Sequence, residues 1–204
     1  MGLKIHLRTQ EDFMKKIAII GSPGSGKTTL AAGLFYHLKM MAEHVEMVPE
    51  LIKYKVYKNI NFELEGFDIL NTLEQKEFEE IFESENAKNQ IDFIICEAPL
   101  CNGYFYSSFY QKQLEFPILK KIAESKINTY DLMIFVERSP EAEYVSFGRK
   151  ESFEQARKLE IHITEHLKEL GYNKPIIRVN QATPIQDILN MIGVHVGYKK
   201  QGEE

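Results

Sequence analysis

Residues 21–28 read Gly-Ser-Pro-Gly-Ser-Gly-Lys-Thr, a full match to the pattern G-x-x-x-x-G-K-[ST]. No other feature of the chain constrains its fold as strongly. The pattern works only where a β-strand enters the glycine-rich loop and a helix leaves it. Both neighbours are present. Ile17-Ala18-Ile19-Ile20 precedes the loop as a β-rich apolar run, and Leu30, Leu34 and Leu38 follow it as an i, i+4 stripe.

The chemistry of such a loop is specific. Glycines let the backbone take positive φ and approach an anion closely. Successive N–H groups of Ser22, Pro23's neighbour Gly24, Ser25, Gly26, Lys27 and Thr28 form a nest at a helix N-terminus. Residues 22–29 are therefore expected to hold the phosphates of a nucleoside triphosphate, with ATP as donor. Lys27 is expected to neutralise the β- and γ-phosphates, and the Thr28 hydroxyl to ligate Mg²⁺. Thr29 either reaches the α-phosphate or is an ordinary first-turn threonine.

Four more apolar runs recur along the chain: Val45-Glu46-Met47-Val48, Ile91–Cys96, Leu132–Val136 and Ile176–Val179. Near-continuous apolar runs suit strands buried on both faces, and the spacing leaves room for crossover helices. The repeated βα pattern predicts an α/β fold with a parallel sheet. Helix signals agree. Ser139-Pro140-Glu141 supplies a cap, an N1 proline and an acid. Ser152 and Gln155 make a capping box, followed by the stripe Ala156, Leu159, Ile163, Leu167 and Leu170 up to Gly171. Thr183-Pro184-Ile185-Gln186 repeats the box for a last helix ending near Gly193. The acid-rich stretch 74–85, with Phe78, Ile81 and Phe82, reads as a helix with one solvated face. Residues 1–13 read as a mobile extension, 14–193 as one domain and 194–204 as a tail.

The chain has 204 residues, 44% of them hydrophobic and 27% charged, which is ordinary for one globular domain. Cys96 and Cys101 are too few for a disulfide framework and suit a reducing compartment. No apolar run approaches the ~18 residues of a membrane span, and no secretory segment opens the chain. A formal net charge of −5 argues against a broad basic surface for nucleic acid.

Three acids fall at strand C-terminal ends, where a parallel sheet presents its ligand crevice. Glu50 follows the second run, Glu97 the third, and Glu137 the fourth. Glu97 is expected to serve the metal through water, to act as base, or to brace the loop. Glu50 is the rival general base, facing an acceptor hydroxyl. Asp92 and Asp131 begin their strands and are expected at the surface.

Two further segments carry a resemblance. Ile95-Cys96-Glu97-Ala98-Pro99-Leu100 is similar to a strand followed by Asp-Ser-Pro-Leu, with glutamate and alanine here in place of aspartate and serine. Val136-Glu137-Arg138, then Phe147-Gly148-Arg149-Lys150 and Phe153-Glu154-Gln155-Ala156, is similar to an arginine-bearing lid that closes on ATP. The chain thus resembles the P-loop kinase-like ATPases common in tailed phages, related to ribosylnicotinamide kinases and more distantly to deoxynucleoside kinases. The resemblance spans about residues 15–192. It implies a three-layer α/β P-loop NTPase fold with a five-stranded parallel sheet in the order 2-3-1-4-5. It also implies a cytoplasmic enzyme, in the host cytoplasm if phage-encoded.

Of the 25 basic residues only Arg8, Arg138, Arg149, Arg157 and Arg178 are arginine. Arg138 and Arg149 lie after the fourth run, where a lid brings cations over a transferring phosphoryl group. Arg157 is expected on a solvated helix face. None occurs between Arg8 and Arg138, the interval that builds the acceptor pocket. Arginine forks usually grip a phosphate already on the acceptor, so their absence points to an uncharged hydroxyl on a nucleoside-like metabolite. Lys53, Lys55 and Lys58 are the alternative phosphate grip. Tyr54, Tyr57, Phe62, Phe67, Tyr104, Phe105, Tyr106, Phe109 and Tyr110 are candidates to stack on a base. Three readings follow: a kinase for a small nucleoside-like acceptor, a kinase acting on a modified base in DNA, and a nucleotide-dependent regulatory ATPase. DNA is the less favoured partner, and no membrane is expected.

Overall fold

A computed structural model describes residues 14–41, 43–61, 63–139 and 151–196. Five strands form one sheet: β1 (Lys15–Ile20), β2 (Val45–Val48), β3 (Phe93–Cys96), β4 (Leu132–Val136) and β5 (Ile176–Val179). Their order is β2-β3-β1-β4-β5, and every pair is parallel. The central strand sets the register, with Ile17 opposite both Ile95 and Leu132. This is the three-layer α/β P-loop architecture that the sequence implied. Successive connections leave β1 in opposite directions, which opens a crevice at the C-terminal ends of the strands.

The two-residue period of a strand explains why the apolar runs are continuous. Ile17, Ile19, Phe93, Ile95, Leu132 and Ile134 point to one face of the sheet. There they meet α1 (Lys27–Met40) and α8 (Ile185–Val196) through Ala31, Leu34, Leu38, Ile188 and Ile192. Ala18, Ile20, Ile94, Cys96, Met133 and Phe135 point to the other face. That face is covered by α5 (Cys101–Phe109), α6 (Phe116–Lys126) and α7 (Phe153–Glu169), with α3 (Phe67–Phe82) alongside. Two short helices, α2 (Ile52–Tyr57) and α4 (Glu85–Lys88), and a 3₁₀ turn at Ile127–Thr129 complete the described elements.

Local signals fix several helix ends. Ser152 accepts a hydrogen bond from the Gln155 N–H at 3.2 Å, and the Gln155 side chain takes the Ser152 N–H at 2.8 Å. The capping box of α7 is closed, and its stripe Ala156, Leu159, Ile163, Leu167 and Leu170 is buried. Gly171 turns the chain at φ 70°.

Four expectations change. The box at Thr183 does not form: its hydroxyl accepts the Asn180 N–H at 3.1 Å, and the Gln186 amide reaches along α8 to Asn190. Helix α8 also continues through Gly193 to Val196. The acidic stretch is helical as far as Phe82, and the residues it buries are the polar Gln75 and Glu79, while Ile81 is exposed. Asp92 and Asp131 tie strand ends together: Asp131 accepts the Lys16 N–H at 2.9 Å, and Asp92 accepts the His44 N–H at 2.8 Å. The expected extension at 1–13, Phe62, the cap at Pro140-Glu141, Gly148 and Arg149 lie outside the described residues.

Candidate active site

The phosphate loop leaves β1 at the sheet's C-terminal edge. Gly21 has φ 148°, and a Cβ there would sit 2.5 Å from the Val136 carbonyl oxygen of β4. Gly26 has φ 102° at the start of α1. Only glycine takes both conformations without strain. Lys27 is buried and donates to the carbonyls of Gly21 at 3.0 Å and Ser22 at 3.1 Å. Ser22 donates to the Glu160 carboxylate of α7 at 2.9 Å, so a helix from the opposite layer braces the loop. The Gln181 side chain lies on Gly26, and its amide donates to the Ser25 carbonyl at 3.4 Å. The Arg138 guanidinium donates to the Pro23 carbonyl and stacks 5.4 Å from the Phe153 ring.

The acids separate into two groups. Glu97 follows β3, held by its N–H on the Val48 carbonyl at 2.9 Å. Its Oε1 accepts hydrogen bonds from the Thr28 hydroxyl and the Lys53 ammonium, while its Oε2 accepts the Glu50 N–H at 3.5 Å. Lys53 also donates to Thr28 Oγ1 and lies 3.4 Å from Glu50 Oε2. Burial raises the Glu97 carboxyl, but the Lys53 and Thr28 hydrogen bonds outweigh it and hold the group below the usual range. Burial lowers the Lys53 ammonium, and Glu50 and Glu97 together raise it above its ordinary value. Gln75 of α3 straps this segment down, taking the Leu51 N–H at 3.2 Å and donating to the Pro49 carbonyl at 3.0 Å. Glu137 instead pairs with Arg178 at 2.7 Å and does not line the cavity described next.

A cavity of about 550 Å³ runs from the loop into the space between α3 and α5. Lys27, Thr28, Glu50 and Lys53 stand at its loop end, and Asn71, Asn102, Tyr106 and Tyr110 line its far half. This volume lies in the range of small-molecule sites. Among the described residues the far half holds one further lysine, Lys112, paired with Asp68 at 2.7 Å. The Asn71 side-chain oxygen is buried with no hydrogen-bond partner among the described residues, and Tyr110 donates to Glu151 at 3.0 Å.

Of the residues singled out by sequence, Lys27, Thr28, Glu50 and Glu97 converge within this crevice, and Arg138 reaches the loop from outside the cavity. Arg157 is exposed on α7. Lys55 pairs with Glu74 at 2.5 Å and lines a separate shallow groove with Tyr54 and Lys58, so only Lys53 of the three lysines lines the main cavity. Phe67, Tyr104 and Phe105 are buried in the core, leaving Tyr106 and Tyr110 as the aromatics on the cavity. Sequence reasoning did not single out Asn71, Gln75, Asn102 or Gln181. The partners of Gln75 and Gln181 lie in distant segments, and the cavity that Asn71 and Asn102 line is built from two separate helices, so neither leaves a local pattern.

Thr28 and Glu97 fit a divalent cation, because both already direct oxygen atoms at one positive charge, the Lys53 nitrogen. Among the described residues no group of three His, Cys, Asp or Glu could hold a metal unaided. Such an ion therefore needs phosphate oxygens to complete its shell.

Comparison with solved structures finds the same fold. The NadR protein in complex with NR superposes with TM-score 0.71 at 18% identity, covering 94% of this chain and 54% of that one. NadR with NAD and AMP-PNP gives 0.68 at 16%, covering 94% and 52%. Deoxyadenosine kinase from M. mycoides, with dCMP and dCDP, gives 0.58 at 17%, covering 90% and 100%. The chain thus spans about half the length of the NadR chains it matches. Comparison with curated proteins finds no match. The family model described as AAA domain matches residues 16–185, the whole span from β1 to the start of α8, and the chain belongs to that family.

Proposed function

We propose that this protein transfers the γ-phosphoryl group of ATP to a hydroxyl of a nucleoside-like metabolite. One observation carries the reading. The phosphate loop opens into a cavity whose far half offers amides and aromatic rings, and whose lysine there is already paired with a carboxylate. A site built for a phosphorylated acceptor would offer it a cation. Solved relatives of the same fold hold NR and dCMP, which supports a nucleoside-like acceptor here.

The chain's own residues divide the work. Lys27 moves from the loop carbonyls to the β- and γ-phosphates, and the N–H groups of residues 22–28 cradle them. Thr28 and Glu97 would hold Mg²⁺, which would supply positive charge to offset the negative charge of the phosphates. Glu50 faces the cavity and takes the proton of the attacking hydroxyl. Arg138, already on the Pro23 carbonyl, and Arg149 supply positive charge as the phosphoryl group transfers. We place this enzyme in the cytoplasm, within an infected host if the gene is viral.

The test is ADP release from Mg-ATP against nucleosides, their monophosphates, nicotinamide riboside and modified-base DNA. Free nucleoside-like compounds are expected to be the preferred acceptors. Lys27→Ala is expected to lose more than about 100-fold in turnover, roughly 3 kcal/mol of transition-state stabilisation, with the fold intact. Glu50→Gln is expected to bind Mg-ATP and transfer nothing. Transfer to monophosphates or DNA, with nucleosides inert, refutes the small-hydroxyl reading. ATP turnover with no acceptor points to a regulatory ATPase.

A further inference from the structure

Lys53 stands where the chemistry calls for a metal. Its ammonium group bonds Thr28 Oγ1 and Glu97 Oε1, the two oxygens that fit a divalent cation, and lies 3.4 Å from Glu50 Oε2. Thr28 spends its proton on Glu97 and a lone pair on Lys53. These oxygens cannot serve an ammonium and a metal ion at once. Two cations in one place also repel strongly where water is scarce.

We infer that Lys53 is a built-in counter-cation, which fills the metal position of the nucleotide-free protein and excludes bare divalent ions from it. The inference rests on the reading of Thr28 and Glu97 as the metal's residues. Its consequence is a coupled entry. A lone Mg²⁺ meets an occupied site and gains only two protein oxygens by displacing the lysine. A Mg-nucleotide brings phosphate oxygens of its own and the contacts of the whole loop. It can therefore displace the lysine where the bare ion cannot.

The lysine is placed to leave. It belongs to the first turn of α2, a six-residue helix with no buried residues, and its side chain is 39% exposed. Rotation of the side chain frees Thr28 and Glu97 without disturbing the sheet. Glu50, on the neighbouring turn, remains a partner for the displaced ammonium, so the positive charge stays at the mouth of the cavity.

Mn²⁺ is the probe, followed by electron paramagnetic resonance on the full chain without nucleotide. Lys53→Met is expected to bind Mn²⁺ at least tenfold more tightly than the wild type. Lys53→Met combined with Glu97→Gln is expected to return to weak binding. Lys53→Arg, which keeps the charge, is expected to exclude the ion again. Lys53→Gln carries the same expectation as Lys53→Met and guards against a folding defect in one variant. Equal Mn²⁺ binding by wild type and Lys53→Met overturns the inference, as does tight binding that survives Glu97→Gln. Mg-ATP binding, measured separately by calorimetry, tests the proposed function itself. Its absence in wild type refutes that reading whatever the Mn²⁺ result.

Discussion

Replacing Lys16 with methionine would strand a buried carboxylate. Lys16 of β1 and Glu79 of α3 form an ion pair at 2.6 Å with side chains only 4% and 1% exposed. Tyr130 donates to both Glu79 oxygens at 3.1 and 3.0 Å, and its own oxygen accepts the Leu100 N–H at 2.9 Å. The network thus ties the central strand, the cavity-lining helix α3 and the entrance of α5. Burial opposes ionisation of the Lys16 ammonium, and Glu79 beside it holds it charged. Burial also pushes the Glu79 carboxyl up, against the pull of Lys16. Losing one partner of a buried pair costs about 3–5 kcal/mol, because the other charge is left uncompensated. For a domain of this size each kcal/mol lowers Tm by about 2–4 °C, so Lys16→Met is expected to melt roughly 6–20 °C lower. Glu83, the other partner of Lys16, keeps Lys126 at 3.6 Å, so adding Glu79→Gln removes the buried stranded charge and leaves an oxygen for Tyr130, and the double variant should regain at least about half of the loss. Differential scanning calorimetry of wild type, both single variants and the double variant closes the cycle. A loss under about 1 kcal/mol in Lys16→Met, or strictly additive losses in the double variant, would refute the argument that charge compensation holds these layers together.

Two further expectations are cheaper to check. Gly21→Ala puts a methyl group 2.5 Å from the Val136 carbonyl at φ 148°, so it should reduce Mg-ATP binding at least tenfold by calorimetry, and unchanged affinity would mean the loop tolerates another path. His162 packs against His166 at 3.7 Å and meets the Ser108 hydroxyl at 2.8 Å. Burial, then the His166 charge, lower its pKa below the ordinary 6.5, while Glu165 and Glu169 work the other way. The unfolded chain therefore binds this proton first as pH falls, and the His162 contribution destabilises the fold increasingly below about pH 6.5. Urea titrations at pH 7.5 and 5.5 should show a smaller stability loss in His162→Gln than in wild type, and equal losses would remove His162 as a cause.

What could be read from the chain was local. Strand runs such as Ile17–Ile20 declare themselves because burial on both faces makes them continuous. The phosphate loop and the Ser152–Gln155 box declare themselves because their partners lie within a few residues. The contacts that shape the crevice are different in kind. Lys53 meets Thr28 across 25 positions and Glu97 across 44, and Lys16 meets Glu83 across 67. A lysine in a helix or before a strand looks the same whether its ammonium faces solvent or a buried acid. Aromatic residues hide their role for a similar reason: Tyr54 and Tyr106 both follow a strand, yet only Tyr106 lines the cavity. The box at Thr183 shows the converse failure. Its four residues fit the pattern, but a backbone donor on the other side, Asn180, takes the hydroxyl.

The closed box at the head of α7 separates two parts of the chain that sequence places side by side. Its two hydrogen bonds lie wholly within residues 152–155, so the helix start carries its own cap, and Phe153 beside it stacks on Arg138. The cap sets the phase of α7 from its first turn. Glu160, two turns further on, is thereby aimed at Ser22 and braces the phosphate loop. The phosphate loop is thus supported from both ends of the segment that follows β4: Arg138 at its start holds the Pro23 carbonyl, and Glu160, beyond the capped helix start, holds Ser22.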